Sequence, residues 1–470
     1  MRLIDIEEAE QLSLKEVQQL YREYVNSSQV SLMRSFGFGR ELVERAEGCY
    51  LYLKDGRRIT DLTGGVGVLN HGHNHPRILE ARRRFAERRR MEVHKTYFSP
   101  YLAALSHNLA QILPGDLDHA FFPNSGAESI EGAVKCAYKY HRGKRGTVLR
   151  ATTAFHGKLL GSGGLTAAQG HSFSFPTIPG IADFEYDDLD SVREAVAAHS
   201  GDVYALLIEP FSASTMRQCS EEFLLGLRAL CDQEDIVLIY DEIYTGWGKT
   251  GSMFHFTRYE GLVPDILCTS KALGGGKSSI SGFVVRGPVY RRAYDNLGDA
   301  LLQTTSTTYY GFGEENATAI EAVRIAVEDD YPARARDIEA ILAPGLERIA
   351  KAFPDDVADV RGSGALWGLF LQGNPGLVES MLKLVPGGLS KDPGFRNKLL
   401  ASAFLQAMYE DHGIYLYYTL NGDHPVVIGP PLVTPPDEIR RCLEAIEATL
   451  SIGVGKLVRR FLKQKVSHLW

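Results

Sequence analysis

Apolar residues along this chain fall into two kinds of run. In "SLKEVQQLYREYV", "GAESIEGAVKCAYKYHRG", "EEFLLGLRALCDQE" and "RARDIEAILAPGLERIAKAF" they recur every three to four positions, the signature of one buried helix face. In "VYALLIEP", "IVLIYDE", "DILCTS" and "SGFVVRG" they are short and continuous. Runs that are apolar throughout, rather than alternating, predict strands buried on both faces of a mostly parallel sheet flanked by helices. The first 45 residues read as helix, and "CYLYLKDGRRITDL" predicts two short strands around an Asp55-Gly56 turn. Beyond Asp330 the pattern shifts to long helices, a strand in "GALWGLFLQ" and two further helices. That shift predicts a second, smaller α+β unit built from the last third of the chain and joined by the N-terminal strands.

Composition narrows the class without naming a chemistry. The 470 residues are 44% hydrophobic and 23% charged, enough for a large core and at least one further domain. A formal net charge of -7 argues against a dedicated nucleic-acid binder. Cys49, Cys136, Cys219, Cys231, Cys268 and Cys442 are scattered, with neither a zinc spacing nor a disulfide framework, so no metal is expected. The first residues lack a signal-peptide core, and no run reaches about 18 apolar residues. These features lead to the expectation of a cytoplasmic protein with no membrane span. The tail "GVGKLVRRFLKQKVSHLW" carries Lys456, Arg459, Arg460, Lys463 and Lys465 between apolar residues, which predicts a docked helix with a charged outer face.

The stretch "SKALGGGKSS" holds two candidate lysines. Read from Lys277, it resembles the end of a phosphate loop, but such a loop needs a glycine five residues before its last glycine. That place is taken by Lys271, so the loop fails at its turning residue. Lys271 itself follows the apolar run "DILCTS", at the carboxyl end of a predicted strand, where open α/β sheets place their chemistry. Burial there would keep its amine neutral and nucleophilic. "PNSGAESIEGA" places Ser125, Gly126 and Ala127 at a strand-to-helix junction suited to a phosphate. "IVLIYDE" ends on Asp241, a buried carboxylate in need of a partner. Each feature alone is also ordinary: a cap, a strand end, a surface amine. Together they meet the three requirements for holding pyridoxal phosphate.

With those residues in view, the chain resembles the class III pyridoxal-phosphate-dependent aminotransferases, of the ornithine, 4-aminobutyrate and ω-amino-acid type. "NSGAESIEGAVK", "AFHGK", "LIEP", "LIYDEIYTGWGKTGSMFHF" and "PDILCTSKALGGG" occur in that family's order and spacing. The resemblance implies the fold-type I architecture: a large domain with a mostly parallel seven-stranded sheet and a smaller α+β domain. Residues 1–60 would contribute to the small domain, 61–335 would form the cofactor-binding domain, and 336–470 the C-terminal small domain. It further implies that Lys271 holds pyridoxal 5'-phosphate as a Schiff base and then serves as the base at Cα. Asp241 would pair with the pyridine nitrogen, Ser125, Gly126 and Ala127 with the phosphate, Phe155 with the ring face, and His156 beside it. Glu209 would lie near the ring. Thr308 would reach the phosphate in the other subunit of a homodimer with shared active sites. The implied reaction is amino transfer from an amine or ω-amino donor to an oxo acid or aldehyde. A decarboxylating transaminase, an aminomutase and a racemase are the alternatives that share Lys271 and Asp241, and a catalytically dead homologue would have lost them.

Three departures from the family bear on substrate. The family's "TGFGRTG" is here "TGWGKTG", and Tyr244 stands where a glutamine is usual, with a hydroxyl that would reach the cofactor's phenolic oxygen. "STFGGNP" has become "TTYYGFG", which adds Tyr309, Tyr310 and Phe312. The arginine that commonly binds an α-carboxylate, just before the paired prolines, is replaced by Val427. Arg217 is one candidate to supply a guanidinium instead, weighed against the more ordinary reading of a surface residue, and Tyr97 and Phe98 are candidates for an apolar substrate wall.

Overall fold

A computed structural model of the chain describes residues 3–94, 96–167, 177–298, 308–373, 394–419 and 423–466. The helical start resolves into Ile6–Gln11, Leu14–Leu20, a π-turn Tyr21–Val25 and Ser27–Ser35, with capping boxes at Asp5 and Ser13. Three strands follow: β1 (Val43–Glu47), β2 (Tyr50–Leu53) and β3 (Arg58–Asp61). The first of these lies where the sequence pattern predicts the end of a helix. "VERAE" has no strand-like alternation and becomes a strand because it pairs with β2 at a sheet edge.

The central strands are β4 (Leu117–Phe121), β5 (Thr147–Ala151), β6 (Ile181–Phe184), β7 (Val203–Ile208), β10 (Val237–Asp241), β11 (Ile266–Thr269) and β12 (Gly282–Arg286); a small hairpin, β8 (Phe211–Ser212) and β9 (Arg217–Gln218), lies between β7 and β10. They form a seven-stranded sheet in the order β4-β12-β11-β10-β7-β5-β6. Strand β12 is antiparallel to both its neighbours, and every other pairing is parallel. Six strands therefore run one way and deliver their carboxyl ends to one edge. Successive residues go to opposite faces: Leu206, Leu238 and Leu267 enter one core, while Leu207, Ile239 and Cys268 enter the other. That double burial is why these runs are continuously apolar.

Helix Gly126–Tyr140 covers one face through Ile130, Ala133, Cys136 and Ala137. Beyond the long helices Gly313–Glu328 and Tyr331–Ala352 lie β13 (Val357–Ser363), β14 (Leu366–Leu371), β15 (Ile414–Tyr415), β16 (Tyr417–Tyr418) and β17 (Val426–Ile428). One sheet has the order β13-β14-β17-β16, whereas β15 pairs in parallel with β3 and completes the sheet begun by β1 and β2. The N-terminal strands thus join a C-terminal segment. The basic tail forms helix Val454–Val466, with Val454, Leu457, Val458 and Phe461 buried, and Arg460 paired with Glu410 and Asp411. No described helix is long and apolar enough to cross a membrane, and no described cluster of His, Cys, Asp or Glu is placed to hold a metal.

Candidate active site

The carboxyl edge of the sheet opens into a cavity of about 530 Å³. Strand β10 ends on Asp241, which stands opposite Cys268 of the parallel β11, so Lys271, three residues further on, emerges beside it. A one-turn helix, Lys271–Gly274, closes the exit of β11, and Lys271 itself takes a left-handed φ of 49°. Backbone in that region is costly for a residue with a side chain and is concentrated at functional positions. The next two glycines let this turn pack closely. A Cβ on Gly275 would lie 2.4 Å from Ile78, and one on Gly276 would lie 2.7 Å from Leu69. The glycine run thus serves contact within the chain; Lys277 is exposed, with its N–H donating to the Gly274 carbonyl and its own carbonyl accepting from Arg82.

The Lys271 Nζ sits 3.8 Å from the centre of the Tyr244 ring. Burial lowers its pKa to about 8, against the opposing pull of Asp241 and then Glu209. We expect an amine-directed reagent to modify Lys271 in cofactor-free protein with a pH midpoint near 8, against roughly 10.4 for a free lysine. The rate should rise with pH, because only the neutral amine attacks. Peptide mapping across a pH series provides the check, and a midpoint at the ordinary lysine value would refute this placement.

Asp241 is buried at the cavity floor. Its Oδ2 lies 2.8 Å from His156 Nδ1, and its Oδ1 accepts the Ile243 N–H at 3.0 Å. His156 Nε2 is buried without a partner among the described residues. On the opposite wall, helix Gly126–Tyr140 aims its first turn at the cavity, which Gly126 and Ala127 line. Their N–H groups have no partner among the described residues, as expected at a helix N-terminus. Ser125 caps this helix. Its hydroxyl accepts the Glu128 N–H at 3.3 Å, and the Glu128 carboxylate accepts the Ser125 N–H at 3.0 Å. In this capping box the Ser125 hydroxyl is the acceptor and keeps its own O–H as a donor, and Ser125 does not line the cavity on this chain.

Phe155, Glu209 and Tyr244 also line the cavity. Tyr244 does so with its ring: the hydroxyl expected to reach a cofactor oxygen is instead 2.6 Å from the Tyr417 hydroxyl. Gly67 makes this stacking feasible, since a Cβ there would lie 3.2 Å from the Tyr244 ring and 3.3 Å from Lys271. Burial and the neighbouring Asp241 carboxylate push the Glu209 carboxyl upward.

Three candidate residues lie elsewhere on this chain, and so does Thr308, which the resemblance assigns to the other subunit's site. Arg217 stacks over the Tyr186 ring at 5.4 Å, outside the cavity, because the turn of the β8–β9 hairpin carries it to the surface. Tyr97 and Phe98 are exposed, as is Thr308, and none of the three lines the cavity. Val427 is sealed in an apolar cluster with Phe211, Leu366 and Phe370, with no solvent access for a charged group.

Sequence reading missed Val66, Ser214, Tyr417, Tyr418 and Thr419 in the cavity wall, and also Lys249 behind it. Lys249 is fully buried, and its Nζ donates to the carbonyls of Gly429 at 3.0 Å and Pro430 at 2.7 Å. It ties the turn after β17 to the large sheet, and burial lowers its pKa to about 7. The available signal was a lysine set in an otherwise apolar and glycine-rich segment.

The donor set fits pyridoxal phosphate. The unpartnered N–H groups of Gly126 and Ala127 suit its phosphate, the Asp241 carboxylate its ring nitrogen, and the Lys271 amine its aldehyde.

Comparison with known proteins bears on the class of chemistry. The family model described as aminotransferase class-III matches residues 39–450. The chain is 32% identical over 448 residues to putrescine aminotransferase of Pectobacterium atrosepticum, covering 93% of this chain and 88% of that protein. It is 31% identical over 419 residues to acetylornithine aminotransferase of Agrobacterium fabrum, covering 88% and 94%. Among solved structures, an ornithine aminotransferase from Toxoplasma gondii superposes with a TM-score of 0.80 at 22% identity, over 98% of this chain and 100% of that one. An ω-transaminase from Thermomicrobium roseum gives 0.75 at 23% identity, over 94% and 95%.

Proposed function

Since the chain belongs to the class-III aminotransferases, we propose that Lys271 and Asp241 carry its transamination and that a terminal amine is its donor. The enzyme is a pyridoxal-phosphate-dependent transaminase acting on small molecules. When bound, the cofactor supplies a ring that withdraws electrons from the substrate carbon. The chain's own groups do the rest. Lys271 Nζ, with its lowered pKa, is the covalent anchor and the carrier of the proton that leaves the substrate carbon. Asp241, oriented by His156, places a negative charge at the ring nitrogen. The Gly126 and Ala127 N–H groups hold the phosphate, and Phe155 covers a ring face. Tyr244, tethered by Tyr417, holds Nζ in place. The observation that supports this reading best is that Lys271, Asp241 and the free N–H groups of Gly126 and Ala127 face one cavity.

The donor class is supported by Val427, which leaves no guanidinium for an α-carboxylate, and by the relative named for putrescine. The acceptor is then an oxo acid or an aldehyde. The test is a single half-reaction. Holoenzyme mixed with a primary amine that has no carboxylate should convert its cofactor to the aminated form, with release of one carbonyl product per site. Carbon dioxide release from an amino acid, or racemisation without that conversion, would overturn the reading.

The assembly belongs to the same proposal. Phe98 is 103% exposed, Tyr97 70% and Tyr309 60%, an apolar content that a second copy would cover. With Thr308 exposed as well, these residues support a homodimer in which each chain completes the other's site. Light scattering of holoenzyme would show twice the chain mass. We further propose 61–335 as the large domain, with 1–60 and 336–470 forming the small one, as the pairing of β15 with β3 suggests.

A further inference from the structure

Tyr244 lies just beyond β10, and Tyr417 opens β16. Both line the cavity, and their hydroxyl oxygens are 2.6 Å apart. Two phenols carry two protons, and a single hydrogen bond uses one of them, whichever way it runs. Among the described residues neither hydroxyl makes a second hydrogen bond, so one O–H donor is left over. Burial holds both phenols above their ordinary range, which keeps that group a neutral donor at working pH. Tyr244 is 8% exposed, and its hydroxyl is packed beside Gly429, where an added Cβ would lie 3.3 Å from it. Tyr417 is only half-buried, so the open side of the pair is Tyr417.

The register of the small sheet gives this donor its place. Tyr417 stands directly opposite Val427 in the antiparallel pairing of β16 with β17, and residues so placed share a face of the sheet. Val427 is the position at which the resemblance led to the expectation of an arginine. A neutral hydroxyl therefore stands beside the place of a missing guanidinium. The packing around it is apolar: Tyr244 and Val427 belong to one cluster with Phe211, Met216, Leu366 and Phe370, and Tyr417 packs against it.

The basic residues of the wall have other engagements. Lys271 is committed to the cofactor in the reading above, His156 is held by Asp241, and Lys158 is exposed at the rim. Arg361 lies over the Phe370 ring at 4.1 Å, is paired with Asp359 and does not line the cavity. A carboxylate brought to Tyr417 would give up its hydration for a single neutral donor, which burial disfavours. An uncharged oxygen gives up far less, and one O–H satisfies it.

We propose that Tyr417 is a specificity-determining residue of the donor site, and that its hydroxyl, backed by Tyr244, donates a hydrogen bond to an uncharged hydroxyl or ether oxygen on the chain of the amine donor. This rests on the aminotransferase reading above and narrows its substrate class. Tyr417 binds and orients the donor and takes part in no bond-making step.

The test compares holoenzyme half-reactions with 3-amino-1-propanol, 4-amino-1-butanol and 5-amino-1-pentanol, each against the alkylamine in which a methyl group replaces the hydroxyl. 4-Aminobutyrate is the charged comparison, and Tyr417→Phe removes the phenolic oxygen while keeping the ring. Melting temperature and the cofactor absorbance spectrum check fold and site. Wild type should prefer at least one amino alcohol to its methyl counterpart by about tenfold in kcat/KM, the scale of one neutral hydrogen bond. It should prefer that amino alcohol to 4-aminobutyrate as well. Tyr417→Phe should bring the ratio of amino alcohol to alkylamine close to one, through KM, with the cofactor spectrum retained.

An equal fall on every amine with the ratio kept would make Tyr417 a prop for Tyr244 and overturn the proposal. An altered cofactor spectrum in Tyr417→Phe would assign the hydroxyl to the cofactor and overturn it too. The wild-type ratio stands however well the variant folds. A wild type that treats each amino alcohol and its counterpart alike, or that favours 4-aminobutyrate, would overturn the proposal and leave the aminotransferase reading intact. A wild type converted by no amine would overturn both.

Discussion

Lys271→Ala is expected to lower kcat/KM by about 10⁴-fold or more, because it removes two functions that do not add independently. The side chain is the covalent anchor of the cofactor and the proton carrier at the substrate carbon. Among the described residues, no other amine is placed to replace it. Lys249, the other buried lysine near the cavity, is committed to the carbonyls of Gly429 and Pro430, and Lys158 sits at the exposed rim. Stability should move in a different direction from activity. Burial already disfavours the Lys271 ammonium, so its loss should leave the melting temperature of the cofactor-free protein unchanged or slightly raised; the left-handed backbone strain stays, because alanine keeps the Cβ. Borohydride reduction followed by peptide mass measurement separates the roles. Wild type should retain one cofactor on the peptide containing Lys271, and the variant none. Cofactor fixed on Lys249, or activity within tenfold of wild type, would defeat the assignment.

What could be read from the sequence follows from where the chemistry is encoded. Lys271, Asp241, Gly126 and Ala127 sit within a few residues of a strand end or a helix start, so a local pattern locates them. Ser125 was legible as a helix start, yet a local pattern does not tell a hydroxyl that caps from one that binds. The capping partner Glu128, three residues on, engages only the acceptor side of that hydroxyl. Tyr417 was out of reach. Its contact with Tyr244 spans 173 positions, and its strand, Tyr417–Tyr418, is too short to show periodicity. Lys249 was hidden for the same reason: its acceptors lie 180 and 181 residues away. Strand β1 failed differently, since pairing at a sheet edge overrode the local preference of "VERAE". Arg217, weighed as a guanidinium source against an ordinary surface residue, lies exposed, where the β8–β9 hairpin sets it over Tyr186. Tyr97, Phe98 and Thr308 are exposed on one chain, and their role depends on a second copy.

Asp241→Asn should lower kcat/KM by about 10³-fold, within the range set by loss of a preorganised electrostatic group. The substitution keeps the shape of the side chain and the bond from the Ile243 N–H to Oδ1, so the fold should persist. It removes the negative charge that the ring nitrogen requires and weakens the contact with His156 Nδ1. A second, independent effect follows at Lys271. Asp241 is the main charge that opposes the burial-driven fall in the pKa of that lysine, ahead of Glu209. Without it, the ammonium form is less favoured, and the midpoint for modification of Nζ should move below the wild-type value of about 8. Glu209 should respond in the same direction, because it loses the carboxylate neighbour that helps hold its proton. The two readouts answer different questions. A rate loss without a shifted midpoint would place Asp241 at the cofactor but too far from Lys271 to act on it. A shifted midpoint with an unchanged rate would make its charge a feature of the lysine's environment and remove it from the catalytic set.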